Sequence, residues 1–173
     1  MEPKYVESPA YRLTWDEVMD ICKAIALEAK AGFDPDLVIG VARGGLIPAT
    51  IIASILQVEL YPVVLTRKFR GHVVRDRPVF LMPVPQRVEG KRVLIVDEMV
   101  VSGETLLMTS QETKRKGARK VRTASLWVTL DGWKPDWWGM ETAGLIMFPW
   151  DYEVLSAGRF VINPLYEEYL ELL

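Results

Sequence analysis

Apolar residues at Val18, Met19, Ile21, Cys22, Ile25, Ala26 and Ala29 recur at the three- and four-residue spacing of one helical face, following Trp15 and running to Gly32. Thr14 with Glu17 three residues later forms a capping box that sets the start of this first helix. After a turn at Asp34 to Asp36, the run Leu37 to Ala42 is short, continuously apolar and rich in β-branched residues, the pattern of a strand buried on both faces of a parallel sheet. Arg43, Gly44 and Gly45 stop it. A second helix over Ala49 to Leu56 follows Pro48, a residue tolerated in a first turn, and Leu60 to Leu65 reads as another strand. Thr66 to Pro78 has neither period. It carries Arg67, Lys68, Arg70, Arg75 and Arg77 around Gly71 and is expected to be a mobile basic loop.

Val79 to Met82 fits a short strand before the bend at Pro83 and Pro85. Val93 to Val96 is the most apolar run in the centre of the chain, and it is expected to end at Asp97 and Glu98. A helix then starts near Ser102, runs to Lys116 and closes at Gly117 as a C′ glycine, and Val121 to Val128 follows as a strand. Strands alternating with helices imply an α/β fold, an open, largely parallel twisted sheet flanked by helices, with ligands held in the crevice beyond the strand C-termini. The core is expected over about 14–128. Residues 129–173, where Trp133, Trp137, Trp138, Trp150 and Tyr152 crowd an irregular pattern, are expected to form a small C-terminal hood with a short helix at Leu165 to Leu172.

The chain has 173 residues, half of them apolar, which suffices for one sizeable core and leaves little room for a second domain. The start is punctuated by Pro3, Lys4, Glu7 and Pro9, so neither a leader nor a membrane span is expected. Cys22 is the only cysteine, which excludes a disulfide framework and fits a cytoplasmic address. Acidic and basic residues nearly balance and no long basic run occurs, so a general nucleic-acid binder is not expected. Dinucleotide turns, ATP-type phosphate loops and zinc-hydrolase motifs are missing, and the single histidine, His72, lies in the basic loop.

Candidate chemistry concentrates in 93 VLIVDEMVVSGETL 106. Carboxylates at the end of a buried strand can accept hydrogen bonds from a vicinal diol or hold Mg²⁺, and the following loop offers backbone N–H groups, the Ser102 and Thr105 hydroxyls and a helix N-terminus as an anion nest. Gly103 lets backbone approach the anion without a Cβ in the way. A diol plus a phosphate describes a ribose 5-phosphate. The plainer alternative is a solvated strand end followed by an ordinary Ser102 N-cap. In 40 GVARGGLIP 48, Arg43 and the N–H groups freed by Gly44 and Gly45 suit a second, more highly charged anion such as pyrophosphate, the alternative being a glycine turn needed only for packing.

These segments resemble type I phosphoribosyltransferases: Val93 to Thr105 is similar to their 5-phosphoribosyl-1-pyrophosphate (PRPP) signature and 41 VARGGLIP 48 to their pyrophosphate loop. Lys68-Phe69 and 146 IMFPWD 151 are similar to the short xanthine-guanine and archaeal 6-oxopurine members. The resemblance implies a purine-type salvage enzyme that uses PRPP with Mg²⁺ and a small base, as a homodimer or homotetramer. It implies that Asp97 and Glu98 hold the ribose hydroxyls and the metal, and that Val101, Ser102, Gly103, Glu104 and Thr105 wrap the 5-phosphate. Ala42, Arg43, Gly44 and Gly45 would hold pyrophosphate, with a cis peptide between Ala42 and Arg43 and with Arg43, Lys68 and Glu98 as catalytic groups. Lys134, Leu145, Ile146, Met147 and Asp151 would line the base site.

The chain departs from that family at the base. Val101 stands where the 6-oxopurine enzymes carry an aspartate, Thr129 near the place of a lysine that reads the 6-oxo group, and Leu145 where an aromatic stacks. Valine cannot do acid/base work, and losing polar readers relaxes recognition. The tryptophans at 133, 137 and 138 are candidates for a substitute stacking surface. Two readings follow, a phosphoribosyltransferase with an altered base preference or a non-catalytic PRPP-binding regulator.

Overall fold

The computed structural model describes residues 2–66, 68–69, 72–73 and 78–172, with Lys68, Phe69, His72 and Val73 described by backbone alone. Two short strands, β1 (Lys4–Tyr5) and β2 (Ala10–Arg12), precede helix α1 (Trp15–Gly32). The capping box forms: Thr14 Oγ1 accepts from the Glu17 N–H at 3.2 Å, and the Thr14 N–H donates to Glu17 Oε2 at 3.0 Å. Strand β3 (Leu37–Ala42) leads into α2 (Leu46–Leu56) and β4 (Glu59–Thr66). At Gly40 an added Cβ would lie 2.8 Å from Ala49 Cβ, so the missing side chain is what seats α2 directly on β3.

The expected basic loop contains a pair of two-residue antiparallel strands, β5 (Lys68–Phe69) and β6 (His72–Val73), joined Lys68 to Val73 and Phe69 to His72. This corrects the expectation of a stretch without strand structure. Arg67, Arg70, Gly71, Arg75 and Arg77, and the side chain of Lys68, lie outside the described residues. Strand β7 (Val79–Met82) then pairs antiparallel with β4 at the sheet edge.

Strand β8 (Arg92–Val100) is longer than its apolar run. It pairs with β3 only from Leu37–Val93 to Gly40–Val96, whereas its pairing with β9 (Lys120–Thr129) continues to Val100–Val128. Asp97 and Glu98 therefore sit inside a strand, at the point where β3 has turned away, and not at a strand terminus. Between β8 and β9 lies α3 (Glu104–Arg115), which starts two residues later than expected because Gly103, at φ 76°, is its left-handed N-cap. Gly117 closes it at φ 86°, the C′ role expected of it.

Strand β10 (Trp137–Thr142) extends the sheet beyond β9, so the sheet continues past residue 128, and Trp137 and Trp138 belong to it and not to a hood. The sheet has seven strands in the order β1-β10-β9-β8-β3-β4-β7, parallel except for β7, the mostly parallel α/β sheet expected. One apolar layer joins α1 and α2 to Val38, Leu94, Val96, Ala124 and Leu126, and another joins Leu106 of α3 to Leu37, Ile39, Val63 and Ile95 on the opposite face. Helices following β3 and β8 thus cover opposite faces, which opens a crevice between those two strands. Cys22 of α1 is fully buried, and burial pushes its thiol up to about 12.

The remaining chain packs on the α1 side. Strand β11 (Leu145–Met147) pairs with β2, β12 (Glu153–Ser156) pairs with β13 (Arg159–Ile162), and a 3₁₀ turn over Glu167–Leu172 stands where a short helix was expected. No helix among the described residues is long and apolar enough to cross a membrane.

At the base of the sheet Arg92 ties β8 to the α1–β3 turn. Its Nη2 meets Asp36 Oδ1 at 2.8 Å, its own N–H donates to Asp36 Oδ2 at 2.7 Å, and its Nη1 lies 3.1 Å from Asp34. The side-chain hydrogen bond from Arg92 draws the Asp36 carboxyl down to about 2. A carboxyl depressed in the folded state stabilises it above its unfolded value, near pH 4, and that contribution is lost as pH falls toward 2. Asp36→Asn should flatten the fall of the urea midpoint across this window while lowering the midpoint at pH 7; an acid limb unchanged in the variant would remove Arg92–Asp36 as its source.

Candidate active site

The crevice is built by three segments that meet edge-on. Asp97 and Glu98 enter from β8, the turn Arg43–Gly45 passes over them from the end of β3, and the loop 101–103 leads from β8 into α3. An added Cβ on Gly45 would come 2.5 Å from the Val41 carbonyl oxygen and 2.8 Å from both Asp97 Cα and Asp97 Oδ1, and one on Gly44 would overlap the Glu98 carboxylate. The Arg43–Gly45 turn and the carboxylate pair are therefore packed against each other: backbone on β3 and β8 excludes a side chain at 45, and one at 44 would have to displace the Glu98 carboxylate. The Ala42–Arg43 peptide is cis.

Electrostatics here follow from burial. Desolvation pushes the Asp97 carboxyl up to about 7; the Glu98 N–H, which donates to Asp97 Oδ1 at 2.8 Å, works against that rise and the Glu98 charge adds to it. Glu98 is also raised, first by burial and then by the charge of Asp151, while a hydrogen bond from the Trp150 side chain and the Arg43 guanidinium pull the other way. Such a pair is poised to gain a cation or a hydrogen-bonding diol, either of which would relieve the repulsion.

Two openings flank the pair. A cavity of about 280 Å³ is lined by Asp97 and by the loop through Val101, Ser102, Gly103 and Thr105. Val101 and Ser102 are exposed there, Glu104 and Thr105 half-buried. The Ser102 hydroxyl accepts from the Glu104 N–H at 3.4 Å, a cap-like contact at the start of α3, while the N-cap position itself is Gly103. The loop is braced from behind: a Cβ on Gly103 would meet the Trp133 ring at 2.7 Å, and one on Gly132 would meet the Val101 carbonyl oxygen at 2.5 Å. The second cavity, about 450 Å³, is lined by Arg43, Gly44, Glu98, Trp150, Asp151 and Asn163 among others.

Of the residues expected to face a base, Asp151 alone opens into this second cavity. Ile146 and Met147 are buried on β11, so that they offer main chain and not side chains to a ligand, and Leu145 is half-buried on the same strand. Lys134 is drawn to the Thr129 carbonyl oxygen at 2.7 Å and to Glu141 at 2.5 Å, tying the end of β9 to β10. Trp150, inside the segment up to Asp151 that the resemblance places at the base, stacks on Phe148 at 4.7 Å. Asn163 and Tyr166 are not marked by the sequence. No local pattern marks either, because each reaches the site only through the fold of the last forty residues.

The chain belongs to the phosphoribosyl transferase family, whose domain model matches residues 13–157. The enzymes of that family are transferases of the glycosyl class, and the expectations of this family and of an enzyme of this class are met. The chain is 25% identical over 167 residues to the xanthine-guanine phosphoribosyltransferase of Cereibacter sphaeroides, spanning 87% of this chain and 92% of that protein. It resembles the crystal structure of a purine phosphoribosyltransferase from Pyrococcus horikoshii at TM-score 0.73 and 33% identity, covering 86% of this chain and 99% of that one. A further match, to the transcriptional regulator GfcR of Thermoplasma acidophilum, is 32% identical over 92 residues, 53% of this chain and 43% of that protein.

The geometry separates the roles of the two glycines. Gly45→Ala should cost about 1–3 kcal/mol in denaturant unfolding, because it collides with backbone on two strands. Gly44→Ala should cost less, since only the flexible end of Glu98 must move. Equal destabilisation by both would contradict the packing described.

Proposed function

We propose that this protein transfers the 5-phosphoribosyl group of PRPP to a purine-type base and releases pyrophosphate, working in the cytoplasm. The observation that carries the proposal is the Asp97–Glu98 pair lying directly beneath the Arg43–Gly45 turn, with a braced, hydroxyl-bearing loop beside it. In this reading the bond from C1 to the pyrophosphate oxygen breaks, a bond from C1 to a ring nitrogen forms, and the base loses a proton. Asp97 and Glu98 orient the ribose hydroxyls, residues 101–105 hold the 5-phosphate, and Arg43 with the Gly44 and Gly45 N–H groups receives the departing pyrophosphate. Lys68 would join them from the basic loop.

Asp97 and Glu98 are also the residues that would hold Mg²⁺. Among the described residues no group of three or more His, Cys, Asp or Glu side chains could cage a metal. Two half-buried carboxylates fit an ion that completes its shell with water and substrate oxygens. When bound, Mg²⁺ would supply positive charge to the leaving pyrophosphate.

For the base we assign Asp151, the main chain of Leu145 to Met147 and the neighbouring Trp150, and we give Lys134 a structural role at the end of β9. Support for a purine comes from the xanthine-guanine and purine phosphoribosyltransferases named above, whose length the chain nearly spans. The regulator reading is weaker, because the likeness to GfcR covers less than half of that protein. A homodimer or homotetramer remains our expectation; the exposed, uncharged Val79, Leu81 and Met82 on the edge strand fit such a contact.

Incubation with Mg²⁺, PRPP and a panel of bases should release pyrophosphate with a purine. PRPP with Mg²⁺ should raise the melting temperature of the wild type and leave that of Asp97→Ala/Glu98→Ala unchanged. Release with no base, or an undiminished shift in the double variant, would defeat the proposal.

Because Val101 cannot exchange a proton with the base, turnover with guanine or hypoxanthine should be slow, and Val101→Asp should raise it within the ~10²- to 10⁴-fold that general acid/base catalysis contributes. Steady-state assays with PRPP binding measured alongside decide this; fast wild-type turnover, unmoved by the substitution, would show that proton transfer lies elsewhere.

A further inference from the structure

Asp151 is gripped from the far end of the chain. Tyr166, only 5% exposed, donates its hydroxyl to Asp151 Oδ1 at 2.8 Å, and Asn163 Nδ2 donates to the Asp151 main-chain oxygen at 2.9 Å. Asn163 is itself fixed. Its N–H donates to the Tyr152 carbonyl at 2.8 Å, its Oδ1 accepts from the Leu165 N–H at 3.1 Å, and its carbonyl accepts from the Tyr166 N–H at 2.8 Å. The Tyr166 ring is held against Tyr152, with centroids 6.3 Å apart, and packs with Ala10 and Met147. Carboxylate and carbonyl of one residue are thus both secured by residues 163–166.

On its open side Asp151 shares the second cavity with Glu98 and Arg43. Two carboxylates facing one cavity repel. A short side chain with two rotatable bonds would escape toward solvent. The Tyr166 hydroxyl opposes that escape by engaging Oδ1, and among the described residues no side chain donates to Oδ2.

Resting on the phosphoribosyl-transfer reading, we propose that Tyr166 and Asn163 are positioning residues that hold Asp151 as the acceptor for a ring N–H or amino group of the incoming base. The site then selects bases that present a donor at that edge. A base offering only acceptors there would leave a buried carboxylate oxygen unpaired.

Calorimetric titration of guanosine 5′-monophosphate and of ribose 5-phosphate into the wild type, Tyr166→Phe and Asp151→Asn tests this without requiring turnover. The wild type should bind the nucleotide at least tenfold more tightly than the sugar phosphate. Tyr166→Phe and Asp151→Asn should each lose about tenfold for the nucleotide and nothing for the sugar phosphate, with Tyr166→Phe melting close to the wild type. Nucleotide affinity unchanged in Tyr166→Phe, equal losses for both ligands, or a wild type that binds the two ligands alike would each overturn the assignment while leaving the phosphoribosyl site standing. A wild type that binds neither ligand would remove the phosphoribosyl reading, and this assignment with it.

Discussion

Backbone at Gly44 and Gly45 approaches Asp97 and Glu98 so closely that no side chain fits between them, and much of the molecule can be understood as the support for that approach. Withdrawing two adjacent carboxylates from water is costly unless partners meet them. Here the Glu98 N–H, the Trp150 side chain and the Arg43 guanidinium oppose that cost, while desolvation raises both carboxyls. The fold tolerates this because the support beneath it is apolar: β3 and the Val93–Val96 part of β8 are buried on both faces and paired in register.

Elements fixed by local chemistry were legible in the sequence. The Thr14–Glu17 box, the apolar β3 run and the C′ glycine at 117 each act within a few residues of themselves. The segments proposed to hold the phosphoribosyl group were legible as strand-to-helix turns for the same reason, since each is contiguous in the chain. What failed depended on distant partners. β8 continues past its apolar run because β9 continues beside it, and Gly103 begins α3 in a left-handed conformation because Trp133 fills the space where a Cβ would stand. β10 reads as irregular, with Trp137, Trp138 and Gly139 in succession, yet Gly139 is where Ile21 of α1 presses on the sheet, so the glycine marks a helix contact and not a break.

The base half of the site is assembled differently. Its side walls come from a turn at Trp150 and Asp151 and from residues more than ten positions further on, joined through side-chain hydrogen bonds and ring contacts. Such a wall can change its composition without disturbing the sheet. That independence accommodates Leu145 in place of the expected aromatic, whereas Val101 departs from the family within the loop proposed to hold the 5-phosphate, at an exposed position.

Cys22 gives the molecule a built-in reporter. Its thiol is sealed inside the layer between α1 and the sheet and is far too weak an acid to form thiolate at neutral pH, so alkylating reagents should reach it only through global opening. Labelling kinetics would then read unfolding directly in the native sequence. A second cysteine introduced at an exposed position would carry a fluorophore with no need to remove the first, and the crevice can be instrumented without altering the core that supports it.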